Sequence, residues 1–209
     1  MSTLFFVSYG ALWLLFVVQA VLLFLLYRHI GMVILGTGEG VQRDGLGVGE
    51  VALAVGGVTT EGREVRWVPQ AGRSELLVFA APDCEPCAEV FPYINRLATV
   101  PNGDGVPVTT VVQGASGRAV LAVEKLGSAV PVLAEDGSGA FDRYRVRVTP
   151  FAFVIGEDGR VQAKGVCGSP NALKQLLIRG GLSEAATLLE PGLTFVHRHP
   201  DVTVAERMV

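Results

Sequence analysis

Cys84 and Cys87 stand two residues apart in "FAAPDCEPCAEVFP", residues 79–92. An apolar run ends at Pro82, the cysteines come next, and helical spacing begins after them. Side chains at i and i+3 on a first helical turn share a face, at a Cα separation that suits a disulfide. At a helix N-terminus, backbone N–H groups and the helix dipole favour thiolate over thiol. The thiolate is the species that attacks a disulfide or leaves one. This reading makes Cys84 the nucleophile and Cys87 the resolving thiol, with no cofactor beyond the redox-active disulfide Cys84–Cys87. Two other readings compete. A metal site needs about four ligands, and there is no second CxxC, while His197 and His199 lie far downstream. Residue 88 is alanine, so the CxxCH pattern of haem attachment is absent. An inert pair of core cysteines stays open.

The residues between the cysteines tune the chemistry. Glu85 puts a negative charge beside the thiolate and disfavours it, while Pro86 stiffens the turn. The expected couple is reducing rather than strongly oxidising. Cys167, in "GVCGSP", is the odd cysteine. It reads as a small buried hydrophobe, with a third exchange thiol or an intermolecular link as the alternative.

The chain has 209 residues, half of them hydrophobic, and a net charge of −3. That balance argues against a nucleic-acid partner. Three cysteines are too few for a disulfide scaffold. Much of the apolar excess lies in residues 4–27, where no residue is charged and only Ser8 and Gln19 are distinctly polar. At ~1.5 Å per residue, a helix of that length crosses a ~30 Å hydrocarbon core with some tilt. A signal peptide is the competing reading. No Lys or Arg precedes the run, it exceeds a typical h-region, and no clean A-x-A site comes after it. A retained anchor in a lipid bilayer is therefore expected. Tyr27, Arg28 and His29 form an interfacial edge. Arg28 alone would place the rest of the chain in the cytoplasm, a weak vote from one residue.

Several elements must position the cysteines. Residues 31–49 are glycine-rich and read as a tether. Residues 51–68 suit a hairpin or a pair of edge strands. "ELLVFAA", residues 75–81, fits a buried central strand. Pro86 fits a first helical turn, and Val90, Phe91, Ile94 and Leu97 supply helical spacing up to about Ala98. Strand 106–113, helix 117–127, strand 129–134 and a brief helix 139–144 succeed it. Then comes "TPFAFVIGEDGRVQAKG", a hairpin around an "EDG" turn. Ser169 and Pro170 open a last helix as N-cap and first residue, closed by Gly180 and Gly181. The order is β-β-α-β-α-β-α-β-β-α, a mixed α/β sheet with helices on both faces. The expected divisions are an anchor (1–30), a tether (31–49), a domain (50–189) and an unpatterned tail (190–209).

A strand opening with Thr149-Pro150 after a strand–turn–helix CxxC resembles the thioredoxin superfamily. There that proline is cis and lies beside the cysteines, so the backbone of Thr149 would face an extended substrate chain. "CEPCAEVFPYINRL" resembles the active-site segment of membrane-anchored members of the TlpA/ResA branch. The apolar first segment, "GLGVGE", "FAAPDCEPC" and "TPFAFVIGEDGRVQAKG" resemble the MauD family, accessory proteins of methylamine dehydrogenase. The resemblance implies a thioredoxin-like fold behind a transmembrane helix, on the periplasmic side of the inner membrane. It implies exchange with disulfides of an exported client, here the methylamine dehydrogenase small subunit, and an upstream thiol–disulfide electron partner in the membrane. Catalysis would fall to Cys84 and Cys87, and substrate binding to Thr149 and Pro150. A ResA-like reductant for cytochrome c maturation and a non-catalytic binding or metallochaperone module are the alternatives. The chain departs from the pattern at Asp83, where many members carry an aromatic residue. Asp83 adds a second acid beside Cys84, so Asp83, Glu85 and Pro86 are the expected modulating residues. Val78 stands where thioredoxins carry a buried acid, which leaves the proton acceptor for Cys87 unassigned.

Overall fold

Seven strands meet in one sheet, and its central strand leads directly into the cysteine pair. The computed structural model describes residues 2–36, 44–100, 105–135 and 139–189. They fall into two compact units, residues 1–44 and 45–209.

The first unit is one helix, α1 (Ser2–Gly36). Its segment Phe5–Leu25, 21 residues, is long and apolar enough to cross a membrane, and none of it is buried within the protein. Phe6 and Leu14 are each 70% exposed. A helix that is apolar all round is one that lipid can solvate. The helix extends through residues 31–36, which the glycine content had placed in the tether. Residues 37–43 of that tether and the tail 190–209 lie outside the described residues. The last residues of the tether pack on the domain instead, with Leu46 buried and the Gly45 and Gly49 N–H groups donating to the Arg145 and Val161 carbonyls.

The second unit contains β1 (Val55–Val58), β2 (Glu64–Trp67), β3 (Glu75–Ala80), α2 (Glu85–Ala98), β4 (Val108–Gln113), α3 (Ser116–Leu126), β5 (Val132–Glu135), α4 (Ala140–Arg143), β6 (Phe151–Ile155), β7 (Val161–Val166), α5 (Pro170–Arg179) and α6 (Ser183–Thr187). The sheet order is β2-β1-β5-β4-β3-β6-β7. β3 runs parallel to β4, and β4 to β5, while β6 is antiparallel to β3 and β7. Within residues 51–68, β1 and β2 form an antiparallel hairpin, the first of the two forms expected there, with β2 at the sheet edge and β1 between β2 and β5. Beyond the expected order, α6 adds a short final helix.

β3 is buried along its whole length, and after Glu75 it is apolar on both faces, as suits a central strand. Leu76, Val78 and Ala80 share one core with Val90, Phe91, Ile94 and Leu97 of α2, Ala119 and Ala122 of α3, and Leu173, Leu176 and Leu177 of α5. The steps β3 to β4 and β4 to β5 advance in the same direction. Right-handed crossovers therefore put α2 and α3 on the same face. The opposite face carries Phe79, Phe151 and Phe153. It is covered by the single-turn α4 and by loop segments rather than by a second helical layer. There Phe141, Tyr144, Phe153 and Phe79 interlock with ring centroids 5.0–5.7 Å apart.

Buried polar groups on this side are satisfied. The Glu135 carboxylate accepts from the backbone N–H of Ala140 (2.6 Å) and Phe141 (3.2 Å), capping α4. Glu75 accepts from Trp67 Nε1 (3.1 Å) and the Gln70 N–H (3.0 Å), and burial pushes its carboxyl up. The Tyr144 hydroxyl donates to the Leu53 carbonyl, and burial keeps the phenol protonated well above its ordinary range. Tyr144→Phe leaves the Leu53 carbonyl without that donor. It should destabilise the chain by roughly 1–2 kcal/mol in urea unfolding, against roughly 3–5 kcal/mol for Phe79→Ala, which empties the centre of the aromatic layer.

Candidate active site

β3 ends at Ala80, and Cys84 occupies the N-cap of α2 in extended conformation (φ −98°, ψ 106°). A cap must offer an acceptor to the free N–H groups of the first turn. The Cys84 sulfur does so, accepting from the Cys87 N–H at 3.3 Å. Cys84 and Cys87 form a disulfide with Cα atoms 5.2 Å apart. Cys84 is half-buried and Cys87 fully buried, so an incoming molecule meets Cys84 first. Pro86 lies in the first turn of α2, where a missing N–H costs nothing. Pro92 lies inside the same helix and leaves the Ala88 carbonyl without its i+4 donor.

The Thr149–Pro150 peptide bond is cis. Antiparallel register pairs Phe79 with Phe151, so the start of β6 and the end of β3 leave the sheet at the same edge. The Thr149 carbonyl oxygen lies 3.4 Å from Cys84 Sγ. Proline at the mouth of a strand is tolerable because it has no N–H to contribute to the ladder. The Pro150 carbonyl is used instead, accepting from the Cys167 N–H at 3.0 Å. Next to it, a Cβ on Gly168 would sit 3.2 Å from Pro86 Cβ and 3.7 Å from Pro150 Cδ. The glycine lets the chain after β7 pass between the two prolines and brings the three loops together. Cys167 is fully buried, and burial pushes its thiol up to about 12, so it stays protonated at neutral pH.

Asp83 is exposed and is not a lone acid beside Cys84. Lys125 Nζ donates to its Oδ1, and Arg118 Nη2 lies 3.8 Å from Oδ2. The Lys125 hydrogen bond and charge, with Arg118 behind them, hold its carboxyl below the usual range. Neither cation was singled out from the sequence. Their spacing at i and i+7 puts them on one face of α3, but nothing local links that face to Asp83. Glu85 is exposed in the first turn of α2. Val78 is buried and pairs with Thr110 and Ala152, so no acid stands at that position. Among the described residues no group of His, Cys, Asp and Glu is placed to hold a metal ion; His197 and His199 lie outside them.

A mixed sheet, a disulfide at a helix N-terminus and a cis X–Pro bond beside it define a thioredoxin-like domain. The family model described as Redoxin matches residues 48–176, and the chain belongs to that family. It is 30% identical over 131 residues to the methylamine utilization protein MauD of Methylobacillus flagellatus, covering 61% of this chain and 62% of that one. The chain thus spans a little under two thirds of that relative. It is 27% identical over 147 residues to the thiol-disulfide oxidoreductase ResA of Geobacillus thermodenitrificans, covering 70% of this chain and 84% of that one. A crystal structure from Chlorobium tepidum, assigned as thiol:disulfide interchange protein DsbE, shares the fold at a TM-score of 0.56 and 24% identity. It covers 65% of this chain and 98% of its own.

Burial sets the order of thiol reactivity and a dependence on alkali. In the reduced chain at neutral pH, iodoacetamide should label Cys84 first, with Cys87 and Cys167 reacting only on unfolding, as read by peptide mass spectrometry. The raised Cys167 thiol works against the folded state in alkali. Stability should fall as pH rises from the ordinary thiol value of 9.0 towards about 12, by up to about 1.4 kcal/mol per pH unit. Cys167→Ala should remove that slope in denaturant titrations, even though it lowers stability at neutral pH.

Proposed function

We propose that the protein is a membrane-anchored thiol–disulfide oxidoreductase acting on cysteines of an exported client. The observation that carries this reading is the half-exposed Cys84 sulfur at the α2 N-terminus, 3.4 Å from the Thr149 carbonyl, with Cys87 buried behind it. In the reducing direction, the Cys84 thiolate attacks one sulfur of the client disulfide. The client S–S bond breaks, its second sulfur leaves as thiolate and takes a proton, and a mixed disulfide joins Cys84 to the client. Deprotonated Cys87 then attacks Cys84, the mixed disulfide breaks, and the client's remaining sulfur leaves. Two electrons pass from the pair to the client, and an upstream thiol–disulfide partner in the membrane restores the pair. Release before Cys87 attacks, with re-pairing inside the client, gives isomerisation.

Thr149 and Pro150 are the proposed docking edge. The Thr149 backbone borders the sulfur and offers hydrogen bonds to an extended chain, while Pro150 has no N–H and its carbonyl already accepts from Cys167. Asp83, Glu85 and Pro86 modulate the couple, and the Lys125 and Arg118 contacts weaken the part that Asp83 plays. The likeness to MauD supports the methylamine dehydrogenase small subunit as client and a domain facing the periplasm, with α1 as a single-pass anchor in the inner membrane. The likeness to ResA supports a second reading, reduction of cytochrome c precursors.

Cys87→Ser removes the resolving thiol and should trap the mixed disulfide. Co-expressed with a tagged methylamine dehydrogenase small subunit, it should give a dithiothreitol-sensitive adduct on non-reducing gels. That adduct should be absent from Cys84→Ser and from Cys84→Ser/Cys87→Ser. No adduct with that client, but one with a cytochrome c precursor, would move the assignment to the second reading. No adduct with any thiol protein would remove the enzyme reading.

A further inference from the structure

A cavity of about 770 Å³ has Ala81, Gln113, Arg118, Asp142, Arg147 and Thr149 among its walls. Its position ties it to the reacting sulfur. Thr149 is the residue whose carbonyl lies 3.4 Å from Cys84 Sγ, and Ala81 directly follows β3, three residues before Cys84. An extended client chain docked along Thr149 advances ~3.3 Å per residue. Side chains close to the client's own cysteine therefore fall into this space.

Arg118 is the feature that the thiol chemistry leaves unexplained. Its Nε is buried and has no hydrogen-bond partner. Its anionic neighbour, Asp83, is 3.8 Å from Nη2 and is already hydrogen-bonded by Lys125. The seat for this side chain is built into the backbone. Gly114 has φ +119°, and a Cβ there would lie 2.3 Å from Arg118 Cδ. Any other residue at 114 would displace the arginine. Arg118 and Arg147 outweigh Asp142 in the lining, and Gln113 adds a carboxamide. The Arg118 side chain as a whole is 43% exposed, and a planar guanidinium within reach of solvent fits a carboxylate, which can accept from two of its donors at once.

We propose that this cavity is a specificity subsite for an acidic residue of the client, Asp or Glu, close in sequence to the cysteine that Cys84 attacks. Arg118 is its principal contact. The proposal rests on the thiol–disulfide exchange reading and adds to it a sequence preference around the target cysteine.

The test uses the full chain in detergent, reduced, with synthetic extended peptides. Each peptide has one cysteine joined by a disulfide to thionitrobenzoate, and Glu or Gln is placed in turn at each position flanking the cysteine. Release of thionitrobenzoate gives the rate constant for attack. In one register, Glu should outpace Gln by roughly tenfold at low salt, and the gap should narrow at high salt. Arg118→Gln should abolish that difference, and Arg118→Lys, which keeps the charge without the planar fork, should restore part of it. Equal rates for Glu and Gln in every register would overturn the proposal while leaving the exchange activity standing. So would a preference that persists in Arg118→Gln, or an Arg118→Gln loss that is uniform across all peptides. Failure of the reduced chain to react with any peptide would instead sink the exchange reading, and this subsite with it.

Discussion

The antiparallel register between β3 and β6 is the constraint on which the site depends. It sets Phe79 opposite Phe151, so the turn that carries Cys84 and the peptide bond between Thr149 and Pro150 emerge together at one edge of the sheet. A slip of one residue would exchange the two faces of a strand that is buried on both. It would drive Phe79 out of the aromatic layer and into the helical core. The packing that stabilises the sheet therefore also fixes a distance between a sulfur and a carbonyl. Gly168 completes the arrangement from the side of β7 by admitting a third loop between Pro86 and Pro150.

The surroundings of Cys84 pull in two directions. The Cys87 N–H points at its sulfur from the first turn of α2, which favours negative charge there. The Thr149 carbonyl approaches the same sulfur at 3.4 Å; it can accept from a thiol but repels a thiolate. Two acids flank Cys84 in sequence, yet they are not equivalent in space. Asp83 is engaged by Lys125 and Arg118 of α3, whereas Glu85 stands exposed in the first turn of α2. Because these ion pairs are exposed, salt and solvent screen them. Their effect on the sulfur is one of balance rather than of large energies.

Much of this was legible in local sequence. Proline in a first helical turn, a cysteine before it, and an apolar run ending at Pro82 place Cys84 at a cap without any tertiary information. The alternation around "EDG" likewise announces the β6–β7 hairpin, and Thr149–Pro150 stands at its start. What sequence did not reveal is non-local. The cations that meet Asp83 sit on a helix 35 and 42 residues downstream, and no periodicity connects them to it. Alternating strands and helices place helices on both faces, and they lie there unevenly. Two successive crossovers in one direction load α2 and α3 onto one face, while the single turn of α4 covers the other with aromatic side chains and loops. The short α6 is too brief for its periodicity to register, and the glycines of residues 31–36 masked the last turns of α1.

The most direct test of the central claim is the redox equilibrium of the Cys84–Cys87 pair. The full chain would be poised against glutathione or dithiothreitol, and its thiols counted by alkylation and mass spectrometry. A two-electron couple is predicted, in which both thiols appear together. It should be lost in Cys84→Ser and kept in Cys167→Ala, with a midpoint nearer thioredoxin's ~−270 mV than DsbA's ~−120 mV. A chain in which no Cys84–Cys87 disulfide forms at any poise would contradict the account.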